Sequence, residues 1–378
     1  MKTLSGWKRW SCLGLLVAGL LIVSGCPKKK EPEAPPEPTP AAAPALDPGA
    51  EVTVREREQL HTRVTITLPG GETPEKIAAI DAAFAEIDRL ETLLDEWKEG
   101  TQVAEVNAKA GREPVKVSDE IIEVVETARK IASRSQGAFD LTIGALRGAW
   151  DFRQQDPKIP TAEELAPRLK LVSYRKLVLD PEARTIFLEE EGMKLALGGI
   201  SRGYAVDRAS AVLKERGFTD HLVVAGGDLY ASGKRGDRPW RVGIRDPRSS
   251  AVHSVVELED RGMATSGNYE RYFEKDGVRY HHILDPRTGQ PARGFSSVTV
   301  QAPNATLADG WATALFVRGP RFALVEAKQI EGIEVLFFSD TDFQTSGTPG
   351  LLAALIDPAT LKDPKGPDAT TARPALQE

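Results

Sequence analysis

The feature that most constrains the fold is the irregular succession of two hydrophobic periods along the middle of the chain. Between Thr73 and Leu94 the residues Ile77, Ile80, Phe84, Ile87, Leu90 and Leu94 recur at steps of three and four, the spacing of one buried helical face. Thr73 is a suitable N-cap and Pro74 suits the first turn. A second helix is predicted after Ser118, burying Ile121, Ile122, Val125, Ala128 and Ile131 and stopping at Gly137. A third is predicted from about Arg202 to Arg216, ended by Gly217. Between and beyond these lie strand-like stretches: "RTIFLEE", "HLVVA", "WRVGI", "SVVEL", "SSVTVQA" and "IEVLFF". The run "VTVREREQLHTRVTITL" from Val52 alternates as a strand does. Strands and helices intermix without a regular βαβ alternation, which predicts α+β architecture with largely antiparallel sheets and packed helices.

The ends have a different character. Lys2, Lys8 and Arg9 precede an uncharged run from Trp10 to Val23 that closes in "VSGC". A basic start, a short apolar centre and small residues before a cut describe a secretory signal over residues 1–25. "V-S-G-C" resembles the lipobox of bacterial lipoproteins, making Cys26 the lipidation site; a plain membrane anchor without lipid is the alternative. Cys12 lies within the signal, so the mature body has no disulfide despite an exported address. Cleavage removes three positive charges and no negative ones, taking the formal charge from −6 to −9. Nothing basic and rich in aromatics directs the chain to nucleic acid. Residues 26–51, dense in proline and alanine, form an extended tether that holds the body clear of the bilayer. One folded domain is expected over 52–357, followed by a flexible tail over 358–378.

Five segments concentrate glycine, small polar residues and isolated charges. In "GAFDLTIGAL", residues 137–146, either Phe139 packs beside an aromatic ligand while Asp140 accepts hydrogen bonds from it, or Asp140 caps a turn. In "LGGISRGYAVD", residues 197–207, Gly198, Gly199 and Gly203 surround a helix start, whose free N–H groups and dipole favour an anion, and Arg202 adds a forked cation. Tight packing explains the glycines equally well, and the spacing is not the dinucleotide fingerprint of a βαβ unit. "VVAGGDLYASG", residues 223–233, is a strand running into paired glycines, either a turn or a close backbone approach to a ligand. "ATSGNYERYF" leads to "HHILDPRTGQP", where His282 either moves a proton or meets a phosphate, or ends a strand as a hydrogen-bonded histidine. Finally, "ADGWATAL", residues 308–315, sets Asp309 and Thr313 one helical turn apart. Carboxylate and hydroxyl oxygens suit Mg²⁺. The structural alternative has Thr313 bonded to the carbonyl four residues back and Asp309 capping a helix.

In this order, "EWKEGTQVAEVN", "GAFDLTIGALRGAWDF", "GGISRGYAVD", "VAGGDLYASG", "ATSGNYERY", "HHILDPRTGQP" and "ADGWATAL" resemble the FAD:protein FMN transferase (ApbE) family over about residues 53–355. The resemblance implies a fold of two intertwined subdomains and Mg²⁺-dependent transfer of the FMN half of FAD to a threonine hydroxyl of another protein, releasing AMP. It implies FAD contacts at Leu60, Trp97, Ala138, Phe139, Asp140, Arg202 and Ile283, and metal contacts at the Gly199 carbonyl, Asp309 and Thr313. His282 and Asp285 are the candidate bases for the acceptor hydroxyl. No flavinylation motif of the form D-G-x-x-[S/T]-G-A-T occurs in this chain, so the acceptor would be a separate protein, and a subunit of a membrane redox complex facing the same compartment is expected. Departures accompany the likeness: Ala196 stands where the family has an aspartate, Leu60 and His61 replace methionine and glycine, and Ala312 replaces a second acid found in some relatives. FAD hydrolysis to FMN and AMP, and flavin binding without catalysis, are the alternative readings.

Overall fold

The computed structural model describes residues 51–152, 157–249, 251–361 and 368–370. The signal, Cys26 and the tether up to residue 50 lie outside them. Among the described residues no helix is long and apolar enough to cross a membrane.

One antiparallel sheet of eight strands organises the molecule. Its spatial order is β1 (Val52–Gln59), β2 (Thr62–Pro69), β6 (His221–Ala225), β7 (Asp228–Ser232), β10 (Arg261–Gly267), β13 (Phe295–Ala302), β14 (Glu334–Ser339) and β15 (Thr345–Gly347). Side chains alternate between its faces. Val223 and Ala225 join a core with Val64, Ile66, Ile80, Phe84 and Ile87, whereas Leu222 and Leu229 face Trp240, Val242 and Val256 on the other side. The first face carries the long helices α1 (Pro74–Leu93), α5 (Ser201–Glu215) and α6 (Ala305–Arg318), and α3 (Asp119–Arg134) packs on α6. The second carries a smaller sheet, β8 (Trp240–Arg245) and β9 (Val252–Leu258) with β16 (Ala369–Thr370), and α8 (Pro349–Ala353). A third sheet joins β3 (Val115–Lys116), β5 (Thr185–Leu188) and β4 (Leu177–Asp180), near α2 (Gln102–Ala108). β11 (Tyr272–Lys275) and β12 (Val278–His281) form a separate hairpin; α4 (Ala162–Leu169) and α7 (Ala323–Ala327) complete the helices described.

The expected helices stand where their apolar steps put them, and the side chains of Thr73 and Ser118 cap α1 and α3. All six strand-like stretches contain strands. Two expectations change. The alternating run from Val52 is a hairpin, turned by Leu60 and His61, whose φ values of 54° and 55° are those of a two-residue turn matched to strand twist. Neither residue is glycine or asparagine, so composition does not announce the turn. Nor is all of 358–378 a loose tail. The Asp368 carboxylate is buried, pairs with Arg235 and Arg238, and accepts the Arg241 amide at 2.8 Å, while β16 extends β8 in parallel.

Candidate functional site

The site is built where α5 and α6 pass one another. α6 is apolar nearly all round and correspondingly buried, with Asp309 as its buried acid. Its first-turn amides are all satisfied. Asn304 Oδ1 accepts from Leu307 at 2.8 Å, the Ala308 amide bonds the Asn304 carbonyl at 3.2 Å, and the Asp207 carboxylate of α5 takes Ala305 and Thr306 at 2.9 and 2.8 Å. α5 has no side-chain cap of its own. Asp309 supplies one from α6: its Oδ2 accepts the Gly203 amide at 3.1 Å. The Arg202 amide, one residue earlier, has no acceptor among the described residues and stays open to an anion. Gly203 permits this approach, because a Cβ there would lie 2.3 Å from the Ala305 carbonyl oxygen.

Charge concentrates at this crossing. Arg202 Nε lies 3.0 Å from Asp228 Oδ2, and the field of Asp228, ahead of the weaker fields of Asp309 and Glu270, holds the guanidinium firmly cationic. Burial, and then the charge of Asp228, push the Asp309 carboxyl far above the usual carboxylate range. One turn along α6, Thr313 is half-buried, with its Oγ1 3.3 Å from Ser266 Oγ of β10. It does not bond back to its own helix. Gly199 faces it: a Cβ at Gly199 would lie 3.6 Å from Thr313 Oγ1 and 3.0 Å from the Phe139 ring. Gly199 and Gly203, one turn apart, thus face Thr313 and Asp309, also one turn apart.

His282 turns Nδ1 toward the Arg271 carbonyl at 3.3 Å. Burial, with the positive charges of Arg271 and, more weakly, Arg202, holds its pKa well below the ordinary value, so the ring is neutral at physiological pH. Nδ1–H donation to the carbonyl leaves Nε2 as the basic nitrogen. Its neighbour His281 is buried, with Nε2 2.9 Å from the Ala292 carbonyl, and is a structural histidine.

The other expected residues divide. Trp97 is 72% exposed, with the Arg147 guanidinium stacked 4.0 Å from its ring centroid. Arg147 pairs with Glu96, whose Oε2 accepts the Leu197 amide at 2.7 Å, so the indole is tethered to the Gly199 loop. Phe139 touches that loop, while Ala138 and the Ile283 side chain are buried in the main core and Leu60 packs against two cores from its hairpin tip. The Asp140 oxygens accept from the Thr142 amide and hydroxyl at 2.8 and 2.6 Å and from the Tyr174 amide at 2.8 Å, which fixes the loop that carries Ala138 and Phe139. Arg287 donates to Asp285 from its amide, Nε and Nη2 at 2.9, 2.8 and 2.7 Å, so this carboxylate anchors its own turn. Sequence reasoning missed Asp228, Ser266 and Glu96, whose significance rests on partners far away in the chain; the acid after paired glycines was the only local hint.

Among the described residues no group of three or more His, Cys, Asp or Glu is placed to hold a metal. A site of another composition does fit a hard divalent cation. Asp309 and Thr313 offer oxygen donors one turn apart, Gly199 lies opposite Thr313, and a cation would relieve the charge that Asp228 places on Asp309.

Residues 60–337 match the model of the ApbE family. The FAD:protein FMN transferase of Escherichia coli K12 is 31% identical over 354 residues, covering 91% of this chain and 97% of that protein. That of Treponema pallidum is 35% identical over 277 residues, covering 69% and 76%. Among solved structures, the ApbE protein of Thermotoga maritima superposes with a TM-score of 0.74 at 32% identity, covering 80% of this chain and 99% of its own. The flavin transferase ApbE of Vibrio cholerae gives 0.73 at 27%, covering 81% and 100%. With the antiparallel sheet, the α5–α6 crossing and matches of this extent in agreement, the chain belongs to the ApbE family.

Proposed function

We propose that this chain transfers the FMN half of FAD to a threonine hydroxyl of an acceptor protein and releases AMP. The observation that carries the reading is the convergence of Arg202, Asp309, Thr313 and the Gly199–Gly203 helix start at one crossing, in a chain whose relatives bear the name FAD:protein FMN transferase. The open Arg202 amide and the guanidinium face the pyrophosphate, donors fixed before charge develops. Trp97 offers its exposed indole to the planar ring system. Asp309, Thr313 and the Gly199 carbonyl would hold Mg²⁺, which would supply Lewis-acid charge to the phosphate oxygens. The acceptor oxygen bonds to the FMN-side phosphorus, the bond from that phosphorus to the bridging oxygen breaks, and AMP leaves with the electron pair. The hydroxyl proton passes to His282 Nε2. The ring's low basicity is lifted when anionic phosphates enter beside it.

The same reading puts the enzyme outside the cytoplasm, anchored through lipid on Cys26, with a membrane redox subunit as acceptor. The "VSGC" motif and the proline-rich tether support it.

The test is incubation with FAD and Mg²⁺, with and without a candidate acceptor, followed by mass spectrometry of the acceptor and assay of free AMP. An FMN-sized addition on threonine, lost with Asp309→Ala, is expected. AMP release with no labelled acceptor in either arm identifies a hydrolase instead, and transfer by Asp309→Ala at the parent rate refutes the metal assignment. Cys26→Ala should leave the membrane fraction; retention there refutes the anchor.

A further inference from the structure

Two carboxylates join α5 and α6 in opposite senses. Asp309 on α6 accepts an amide from the first turn of α5, and Asp207 on α5 accepts two amides from the first turn of α6. Asp207 also accepts from the Thr306 hydroxyl at 2.5 Å. Each helix caps the other.

The two caps do different work. α5 depends on Asp309 for want of a side-chain cap of its own. α6 already has Asn304 bonded to its third amide, so Asp207 is surplus to starting the helix. Its three hydrogen bonds instead fix where α6 sits along α5. Asp207 and Gly203 are one turn apart on α5, and the residues they touch, Ala305 with Thr306 and then Asp309, are one turn apart on α6. A slip of α6 relative to α5 breaks the Asp207 bonds and shifts Asp309 and Thr313 relative to Gly199 together. Contact at Gly203 resists only closer approach, leaving sliding to be resisted by directional hydrogen bonds.

We infer that Asp207 is a positioning residue for the cation: by reciprocal capping it sets the register of α6 on α5 and so assembles Asp309 and Thr313 opposite Gly199. The inference rests on the divalent-cation reading proposed above. It concerns geometry, so it is tested by metal binding rather than by turnover alone.

Mn²⁺ affinity is measured by electron paramagnetic resonance on the full chain with FAD bound, for the parent, Asp207→Ala, Asp207→Asn and Asp309→Ala, beside the thermal midpoint and FAD affinity in EDTA. Asp207→Ala should weaken Mn²⁺ binding about tenfold and raise the KM for Mg²⁺ more than it lowers kcat at saturating metal. Asp207→Asn, which keeps one acceptor oxygen, should fall between. FAD affinity in EDTA should stay within about twofold of the parent. A lowered midpoint with unchanged Mn²⁺ affinity means Asp207 is merely structural and overturns the inference. Should Asp309→Ala bind Mn²⁺ like the parent, the cation reading fails and carries the inference with it. If Asp309→Ala loses the metal while Asp207→Ala keeps it, the inference alone fails. Where Asp207→Ala does not fold, Asp207→Asn and Thr306→Val decide the same question.

Discussion

Replacing Gly203 with alanine should damage transfer far more than it damages the fold. An added Cβ would lie 2.3 Å from the Ala305 carbonyl oxygen, 2.7 Å from its carbon and 2.9 Å from Asp309 Cβ. A carbon–oxygen contact needs about 3.3 Å, so α6 must retreat by about 1 Å, and backbone cannot swing aside as a side-chain tip can. Overpacking of this kind costs about 1–3 kcal/mol, offset by about 1 kcal/mol because alanine is the better helix former. The protein therefore stays folded. Its chemistry has no such offset: a displacement of about 1 Å at a reacting centre costs on the order of 10²-fold. Gly310→Ala on the same helix is the control. Its Cβ would meet the Ile131 Cδ1 methyl at 2.4 Å, a flexible tip that can rotate, and activity should remain within about threefold. Initial rates of AMP release and acceptor labelling, with thermal midpoints for both variants, make the comparison. Parent-like transfer by a folded Gly203→Ala would show that α5–α6 spacing does not set the site.

Trp97→Ala should raise the KM for FAD about tenfold, the loss of about 1–1.5 kcal/mol of ring stacking. Stability should change by less than about 1 kcal/mol, since only the Arg147 stack is lost from an exposed ring; an unchanged KM removes Trp97 from the ligand site. Burial holds His221 and His281 down to about 4, against about 6.5 in the unfolded chain. A depressed histidine gives stability that is complete above the unfolded value and lost as pH falls toward 4, each ring accounting for about 3 kcal/mol. Denaturant titrations at pH 7, 5.5 and 4.5 should show that decline, reduced in His221→Gln; a flat profile refutes it.

How much was legible depended on whether a residue's role is local. α1, α3 and α5 follow from apolar steps with a cap or glycine at their ends, information held within some twenty residues. The pairing of Asp309 with Thr313 was legible for the same reason, since helical spacing alone puts them on one side. The partners were not. Asp207 meets α6 and Glu96 meets Leu197 across about a hundred residues, and no period or motif encodes such contacts. Asp140 and Asp285 show an ambiguity of another kind. An acid beside glycines and threonines serves a ligand or its own turn with the same atoms, and the turn donors, Thr142 and Tyr174 for one and Arg287 for the other, emerge only in the fold. The Leu60–His61 turn escaped because its left-handed backbone is held by β1–β2 pairing rather than by residue type.

The balance of charge at the crossing carries a last consequence. Arg202 lies among acids, with Asp228, Asp309 and Glu270 all acting on it. An ionised Asp309 adds a negative charge that opposes a pyrophosphate at this point. Burial, and then the charge of Asp228, raise the Asp309 carboxyl, a shift that favours its protonated form when no cation is bound. A carboxyl raised in this way is neutral at low pH and ionises late, so FAD affinity in EDTA should fall as pH rises through its titration. Saturating Mg²⁺ should remove the dependence, because the cation displaces the proton and neutralises the charge itself. Asp309→Asn, never charged, should bind FAD in EDTA with no such fall. Flavin fluorescence titrations between pH 6 and 9 make the measurement. If the metal-free affinity is level across that range in the parent, the acids do not oppose the phosphates, and the cation is needed for chemistry alone.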